Sequence, residues 1–306
     1  MAYNHQLNFD FTLDESLRFW LKRVKQVWPL HAMVLTLSLI LTLLSGNVRI
    51  SDILPTYAIF LSMQHAWFPK IALTTALSGA SWYLSALAFC WLMTPAIAYV
   101  IVLFRKLRVT QGSNLRASFA AAMFFYGCRV ILELMLRTTS VFAGLSLHSN
   151  PFVRMLEYAT AYAAGNVLFE HGPLASKEGK EAQAIIELIA SAIVPILWIR
   201  FDETWWRCTF FALSLLLTLS PCCGQSLISK VLSSKALEEA SKYELCFYLF
   251  HQLGIRIASS SVVAGSLPFS YGPKKRFVVS LLVTMLLSVL WTQASHSFVR
   301  KQPSRS

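Results

Sequence analysis

Apolar runs of about 17 to 24 residues recur along most of this chain, each closed off by a short polar segment, and that is the length a helix needs to cross a bilayer core roughly 30 Å thick. Inside lipid every backbone amide and carbonyl must find its partner within the protein. A helix meets that demand and an open strand does not. The expected fold is therefore all-α, a polytopic integral membrane bundle of about eight transmembrane helices. Composition agrees, since 56% of the 306 residues are hydrophobic and only 14% charged, where soluble domains carry roughly 25%.

The runs place crossings at about 29–45, 82–104, 116–136, 152–169, 183–200, 207–222, 242–264 and 276–298. Residues 51–68 are apolar but short, with Pro55 inside and Pro69 at their end, and read as a re-entrant or interfacial segment. Residues 1–28 carry Asp10, Asp14 and Glu15 and no apolar h-region, so they are expected to be a cytoplasmic amphipathic basic lead-in and not a cleaved signal. Residues 29–299 form the expected membrane-embedded domain, and 300–306 a cytoplasmic tail.

The net charge of +12 comes from short Lys/Arg clusters between the apolar runs. Such clusters set membrane orientation, and they argue against a nucleic-acid surface, which would gather the charge on one face. Arg18, Lys22, Arg23 and Lys25, then Arg105, Lys106 and Arg108, then Lys177 and Lys180, then Lys230, Lys235 and Lys242, then Arg300, Lys301 and Arg305 all fall on one side. That side is expected to be the cytoplasm of a cell (inner or plasma) membrane, with both termini inside. Lys274, Lys275 and Arg276 oppose this assignment. The six cysteines lack zinc-site or disulfide spacing and read as small buried residues.

Ionisable groups at membrane depth are costly unless paired or facing water, so they mark candidate chemistry. Glu244, Tyr248 and His251 are four and three residues apart and share a helix face. They could wall a substrate cavity in which His251 moves a proton; equally, His251 could be bonded to a neighbouring helix. Arg129 and Glu133 read as an ion pair within one helix. Arg154 and Glu157 could pair, snorkel to water, or grip an anionic or sugar-like substrate. The basic lead-in is an orientation signal or a cationic mouth for a phosphate-bearing substrate such as a coenzyme A ester. No Gly-rich phosphate loop, metal-ligand cluster or GxSxG elbow is present, so no metal is expected.

Four stretches together resemble the acyltransferase-3 family of membrane O-acyltransferases, whose bacterial members modify extracellular polysaccharides. FWLKRVKQVWPLH (19–31) resembles the family's basic segment leading into an aromatic-Pro entry, and GASWYLSALAFCWLMTP (79–95) its Trp-x-Leu-Ser helix. NPFVRMLEYATAYAAGNVLF (150–169) resembles its Pro-x-x-Arg-x-x-Glu helix, and YELCFYLFHQLGIRI (243–257) its late Tyr-Leu-x-His helix. The likeness starts near the family's third crossing, so the first two helices and their essential histidine have no counterpart in it. Gln26 stands where the family tends to have a second arginine, and Leu87 where many members have Glu.

The resemblance implies acyl, typically acetyl, transfer from cytosolic acyl-CoA to a hydroxyl of an extracytoplasmic glycan or glycolipid. It implies no bound cofactor, acyl-CoA being a co-substrate. Arg23 and Lys22 would hold the coenzyme A phosphates. Trp82, Ser85, Arg154 and Glu157 would line the acceptor side, and His251, with Glu244 and Tyr248, is the candidate base. A non-catalytic relative or a partner in polysaccharide synthesis is the alternative expectation, and a transporter the third.

Overall fold

The computed structural model describes residues 12–44, 49–68, 77, 81–107, 114–138, 149–171, 234–259 and 273–300. Among them all regular structure is helical: α1 (Leu13–Leu44), α2 (Ile50–Leu61), α3 (Trp82–Lys106), α4 (Asn114–Thr138), α5 (Pro151–His171), α6 (Lys235–Ser241), α7 (Glu244–Ala258) and α8 (Pro273–Arg300), with a 3-10 turn at His65–Trp67. Leu13–Leu44, Trp82–Lys106, Arg116–Leu136 and Lys274–Ala294 are each long and apolar enough to cross a membrane. α2, at 12 residues, rises only about 18 Å and is too short to do so alone. The crossings expected at 183–200 and 207–222 lie outside the described residues.

The chain divides into two compact units. One comprises Met1–Trp20 and Ala86–Leu237, the other Leu21–Ser85 and Glu238–Ser306. Because lipid is as apolar as a Leu side chain, helices here gain little from the hydrophobic effect and must associate by close packing and polar contacts.

In the first unit α3, α4 and α5 meet through small side chains. Ala98, Ala121, Ala122, Ala159, Ala163 and Ala164 are buried together with Ile97, Ile101, Phe125 and Tyr162, and alanines at such a seam let backbones approach. Two local devices fix the helices. Pro95 lies inside α3 and has no amide to give the Trp91 carbonyl four residues back; the Trp20 indole N–H fills that role at 2.8 Å. At the start of α5, Asn150 Oδ1 accepts the Phe152 and Val153 amides at 2.9 and 3.3 Å. Asn as N-cap followed by Pro at the first helical position is a favoured start, since Pro lacks the amide that would be orphaned there anyway.

In the second unit α1 packs along α2. Leu35, Ile53, Phe60 and Leu77 form its buried core with Leu39, Leu43, Tyr57 and Leu61 against it, and Thr36 Oγ1 meets the Tyr57 hydroxyl at 2.9 Å. α1 runs unbroken through Pro29, so the basic lead-in from Leu13 onward and the first expected crossing are one helix. Its start has the capping-box pattern Thr-x-x-Glu, with the Glu15 amide donating to Thr12 Oγ1 at 3.3 Å.

The end of α2 is more unusual. The Gln64 amide reaches back to the Ile59 carbonyl and the Met63 amide to the Phe60 carbonyl, the bonding of a Schellman ending. That ending needs a left-handed residue, and Met63 supplies it with φ 57°. Glycine is the usual occupant, because a side chain there costs about 1–2 kcal/mol.

α7 and α8 pack through Gly254. A side-chain carbon at that position would lie 2.7 Å from the Ser280 carbonyl and closer still to Thr284 Oγ1. Ser280, Thr284 and Ser288 form a buried polar stripe at four-residue spacing, and the Thr284 and Ser288 hydroxyls each donate to the carbonyl four residues back. Leu282, Met285, Leu286 and Leu290 of the same helix are exposed. A helix with small polar groups inward and large apolar groups outward is what a lipid-facing surface requires.

Candidate active site

The expected polar stripe lies on α7. Glu244 is exposed, while Tyr248 and His251 are half-buried, their rings 5.6 Å apart and tilted. Tyr83 stands edge-on to Tyr248 at 5.3 Å and edge-on to Trp82 at 6.1 Å. The first turn of α3 and the middle of α7 therefore share an aromatic cluster within the second unit. His251 Nδ1 donates to the Tyr248 carbonyl of its own helix. A carbonyl only accepts, so this bond keeps the proton on Nδ1 and leaves the Nε2 lone pair available to take one.

Arg256, on the same helix, turns aside and donates to the Leu77 carbonyl at 3.0 Å and to Thr42 Oγ1 at 2.9 Å. It ties α7 to the end of α1. In the basic lead-in, Arg23 is half-buried and Lys22 exposed.

Arg154 and Glu157 belong to the first unit and form an ion network there. Arg129, 1% exposed, lies 3.1 Å from Glu133 Oε2 and donates through Nε to Glu157 Oε1 at 3.1 Å. Arg154 Nη1 donates to Glu157 Oε2 at 2.5 Å. Among the described residues the network joins two guanidinium groups and two carboxylates, and both Glu157 oxygens are engaged. The Arg129–Glu133 pair expected within one helix is present, Arg154 and Glu157 pair as one of their readings allowed, and Arg129 adds a link between α4 and α5 that spacing along one helix cannot reveal.

A second polar centre in the second unit had no sequence counterpart. His31 of α1 is wholly buried and donates from Nε2 to the Phe60 carbonyl at 2.8 Å. Three residues earlier, Trp28 Nε1 donates to the Leu61 carbonyl at 3.2 Å, so one face of α1 supplies donors to the last carbonyls of α2, that of Phe60 in addition to the Met63 amide. His65, 1% exposed, stacks on the Phe60 ring at 4.2 Å with 9° between planes. Its Nε2 lies 3.1 Å from Ser81 Oγ. Ser85, placed on the acceptor side by resemblance, is buried and accepts the Ala66 amide at 3.2 Å, which anchors the His65 turn. The signal for this centre was faint: a His two residues after Pro29 and another in Gln-His-Ala-Trp, neither at helical spacing from an ionisable neighbour. Among the described residues no three His, Cys, Asp or Glu side chains converge as metal ligands.

The model of the acyltransferase-3 family, described as an acyltransferase domain, matches residues 10–292. This chain belongs to the acyltransferase-3 family. No curated protein and no solved structure matches it. The family match covers α1 to α7 entirely and nearly all of the apolar span of α8, so both polar centres of the second unit and the ion network of the first fall inside the acyltransferase domain.

Proposed function

We propose that this protein is a membrane O-acyltransferase that moves an acyl group, acetyl being the simplest, from cytosolic acyl-CoA to a hydroxyl of an extracytoplasmic glycan or glycolipid. The observation that carries the reading is the match over 10–292, joined to helices able to cross a bilayer. The chain is read as residing in the cell membrane with both termini inside, so that Arg23 and Lys22 meet the coenzyme A phosphates.

The chemistry needs a base for the acceptor hydroxyl and an environment that excludes water from the thioester. His251 is suited to the first task because its Nδ1 proton is committed to the Tyr248 carbonyl. Tyr83, Tyr248 and Trp82 offer flat apolar faces beside it, the kind of surface on which a sugar ring can lie.

The test uses membrane vesicles from cells that make the full chain. They are given labelled acetyl-CoA, and alkali-labile label is counted in the glycan fraction. We expect label above that of empty vesicles, and His251→Ala to lower the rate by about 100-fold or more at equal membrane abundance. Absence of transfer with acetyl-, succinyl- and palmitoyl-CoA alike would refute the reading, and full activity of His251→Ala would return that histidine to a packing role.

A further inference from the structure

Lys274, Lys275 and Arg276 oppose the charge rule that orients the rest of the chain, and they gather at one end of the second unit. α7 and α8 run antiparallel: Gly254 faces Ser280 and Thr284, and Cys246 Sγ lies 3.8 Å from Thr292 Oγ1. The three cations at the start of α8 therefore lie beyond the Arg256 end of α7, and Lys242 lies at the other end. Arg256 donates to Thr42, two residues before α1 ends. α2 runs back along α1 from there, with Arg49 at its N-cap. This end thus carries Arg49, Arg256, Lys274, Lys275 and Arg276 against Asp52, five cations and one carboxylate among the described residues. All but the half-buried Arg256 are exposed.

Cations in this place are disfavoured twice. On the outward side of the topology proposed above they work against membrane insertion, and in the first turn of α8 they meet the positive end of the helix dipole. Consecutive helical residues stand about 100° apart, so the three fan over roughly 200° of the circumference. Lys274 stands above the exposed, lipid-facing Phe277, Val278, Leu281 and Leu282. Arg276 instead continues the four-residue spacing of Ser280, Thr284 and Ser288, the stripe buried toward α7, yet it is itself exposed. A lipid headgroup can reach the first position. The second opens above the helix ends, to water and to a polymer lying there.

We propose that this cationic end binds the acceptor and that the acceptor is an acidic glycan, bearing carboxylate or phosphate groups along its chain; this rests on the membrane acyltransferase reading above. Arg49, Lys274, Lys275 and Arg276 supply donors for those anions. Arg256, fixed to Leu77 and Thr42, adds positive potential behind them. His251 is five residues from Arg256 along α7, about 7–8 Å of rise, so the unit that holds the glycan also carries the candidate base. A cationic rim speeds capture of an anionic polymer and selects against a neutral one.

The full chain in phosphatidylcholine nanodiscs is titrated with a fluorescent oligogalacturonate, and with the same oligomer reduced at its carboxyl groups as the neutral probe. We expect the acidic oligomer to bind the tighter of the two and to lose affinity as salt rises. Lys274→Gln, Lys275→Gln and Arg276→Gln together should weaken its binding about 10-fold and leave the neutral oligomer unaffected. These substitutions remove charges that oppose insertion, so the variant should reach the membrane at least as well as the wild type. The charge-keeping set Lys274→Arg, Lys275→Arg, Arg276→Lys should bind as the wild type does. Arg49→Gln, on a different helix, should give a smaller loss of its own, and Lys242→Gln, at the other end, none. With acetyl-CoA present, the triple Gln variant should raise the acceptor KM and keep kcat.

Unaltered binding by the triple Gln variant, or equal affinity for the acidic and reduced oligomers, overturns the acidic acceptor while the acyltransferase reading stands. The proposal also falls if the charge-keeping set loses as much as the Gln set, since the loss is then not one of charge. If phosphatidylglycerol in the nanodiscs erases the difference between wild type and variant, the cluster serves lipid headgroups and the proposal is overturned. Glycan binding through these residues with no acyl transfer from any acyl-CoA would instead sink the acyltransferase reading and leave an acidic-glycan surface.

Discussion

The two units differ in the ionisable side chains at their polar centres. In the first, Arg129, Glu133, Glu157 and Arg154 are matched charge for charge. In the second, His31 and His65 each use one nitrogen and leave the other without a partner among the described residues, and His251 turns one nitrogen to its own helix. A matched network has little left to offer a substrate and serves chiefly to fix two helices to each other. An unmatched imidazole still has a lone pair or a proton to give. The contrast separates residues that hold the fold from residues that can act, even where both are charged or ionisable groups at membrane depth.

The largest test of that separation is Arg129. Removing one partner of a buried ionic network strands the others, which costs about 3–5 kcal/mol. Arg129→Met should lower the thermal stability of the purified protein accordingly, because Glu133 loses its partner and Glu157 loses one of two. The double variant Arg129→Met, Glu133→Leu leaves Arg154 and Glu157 as a matched pair, so it should be more stable than Arg129→Met alone. If the double variant is worse than the single, the charges are not acting as a balanced set and the comparison breaks.

Next in size is Gly254, where the second unit depends on proximity instead of charge. Gly254→Ala sets a methyl group 2.7 Å from the Ser280 carbonyl, and such overpacking costs about 1–3 kcal/mol. The expected result is a lower melting temperature together with altered geometry at His251, three residues away on α7. Thr284→Ser in the same chain should relieve little, since the carbonyl remains in place. A fully stable Gly254→Ala would mean that α7 and α8 can slide apart without consequence.

What the sequence revealed and what it hid follow the same division. Run length and charge spacing depend only on local chain order, so α3, α4 and α8 could be read directly, and Glu244, Tyr248 and His251 could be placed on one face. The Arg129 link to Glu157 joins residues 28 apart, and no periodicity carries such a pairing. His65 was hidden for a stronger reason. Its position is set by a Schellman ending with Met63 where glycine is usual, so the turn that delivers it to Ser81 leaves no glycine in the sequence to mark it. The Pro95 and Trp20 exchange was half legible: the proline announces an orphaned carbonyl but says nothing of which donor arrives.

The smallest test sharpens the comparison at the point where the first unit's network is seated. Asn150 caps α5, and Arg154 and Glu157 lie within that helix's first two turns. Arg154 is a cation near the positive end of the helix dipole, a mild penalty that Glu157 offsets one turn later. Asn150→Ala removes the acceptor for the Phe152 and Val153 amides and should cost about 1 kcal/mol. Amide exchange at those two residues should quicken with little change elsewhere in α5. Asn150→Asp keeps the acceptor and adds a favourable charge at the helix start, so it should recover the loss or exceed it. If the alanine variant shows no faster exchange, Pro151 alone suffices to start the helix, and the ion network is then held by α4 and not by its own helix end.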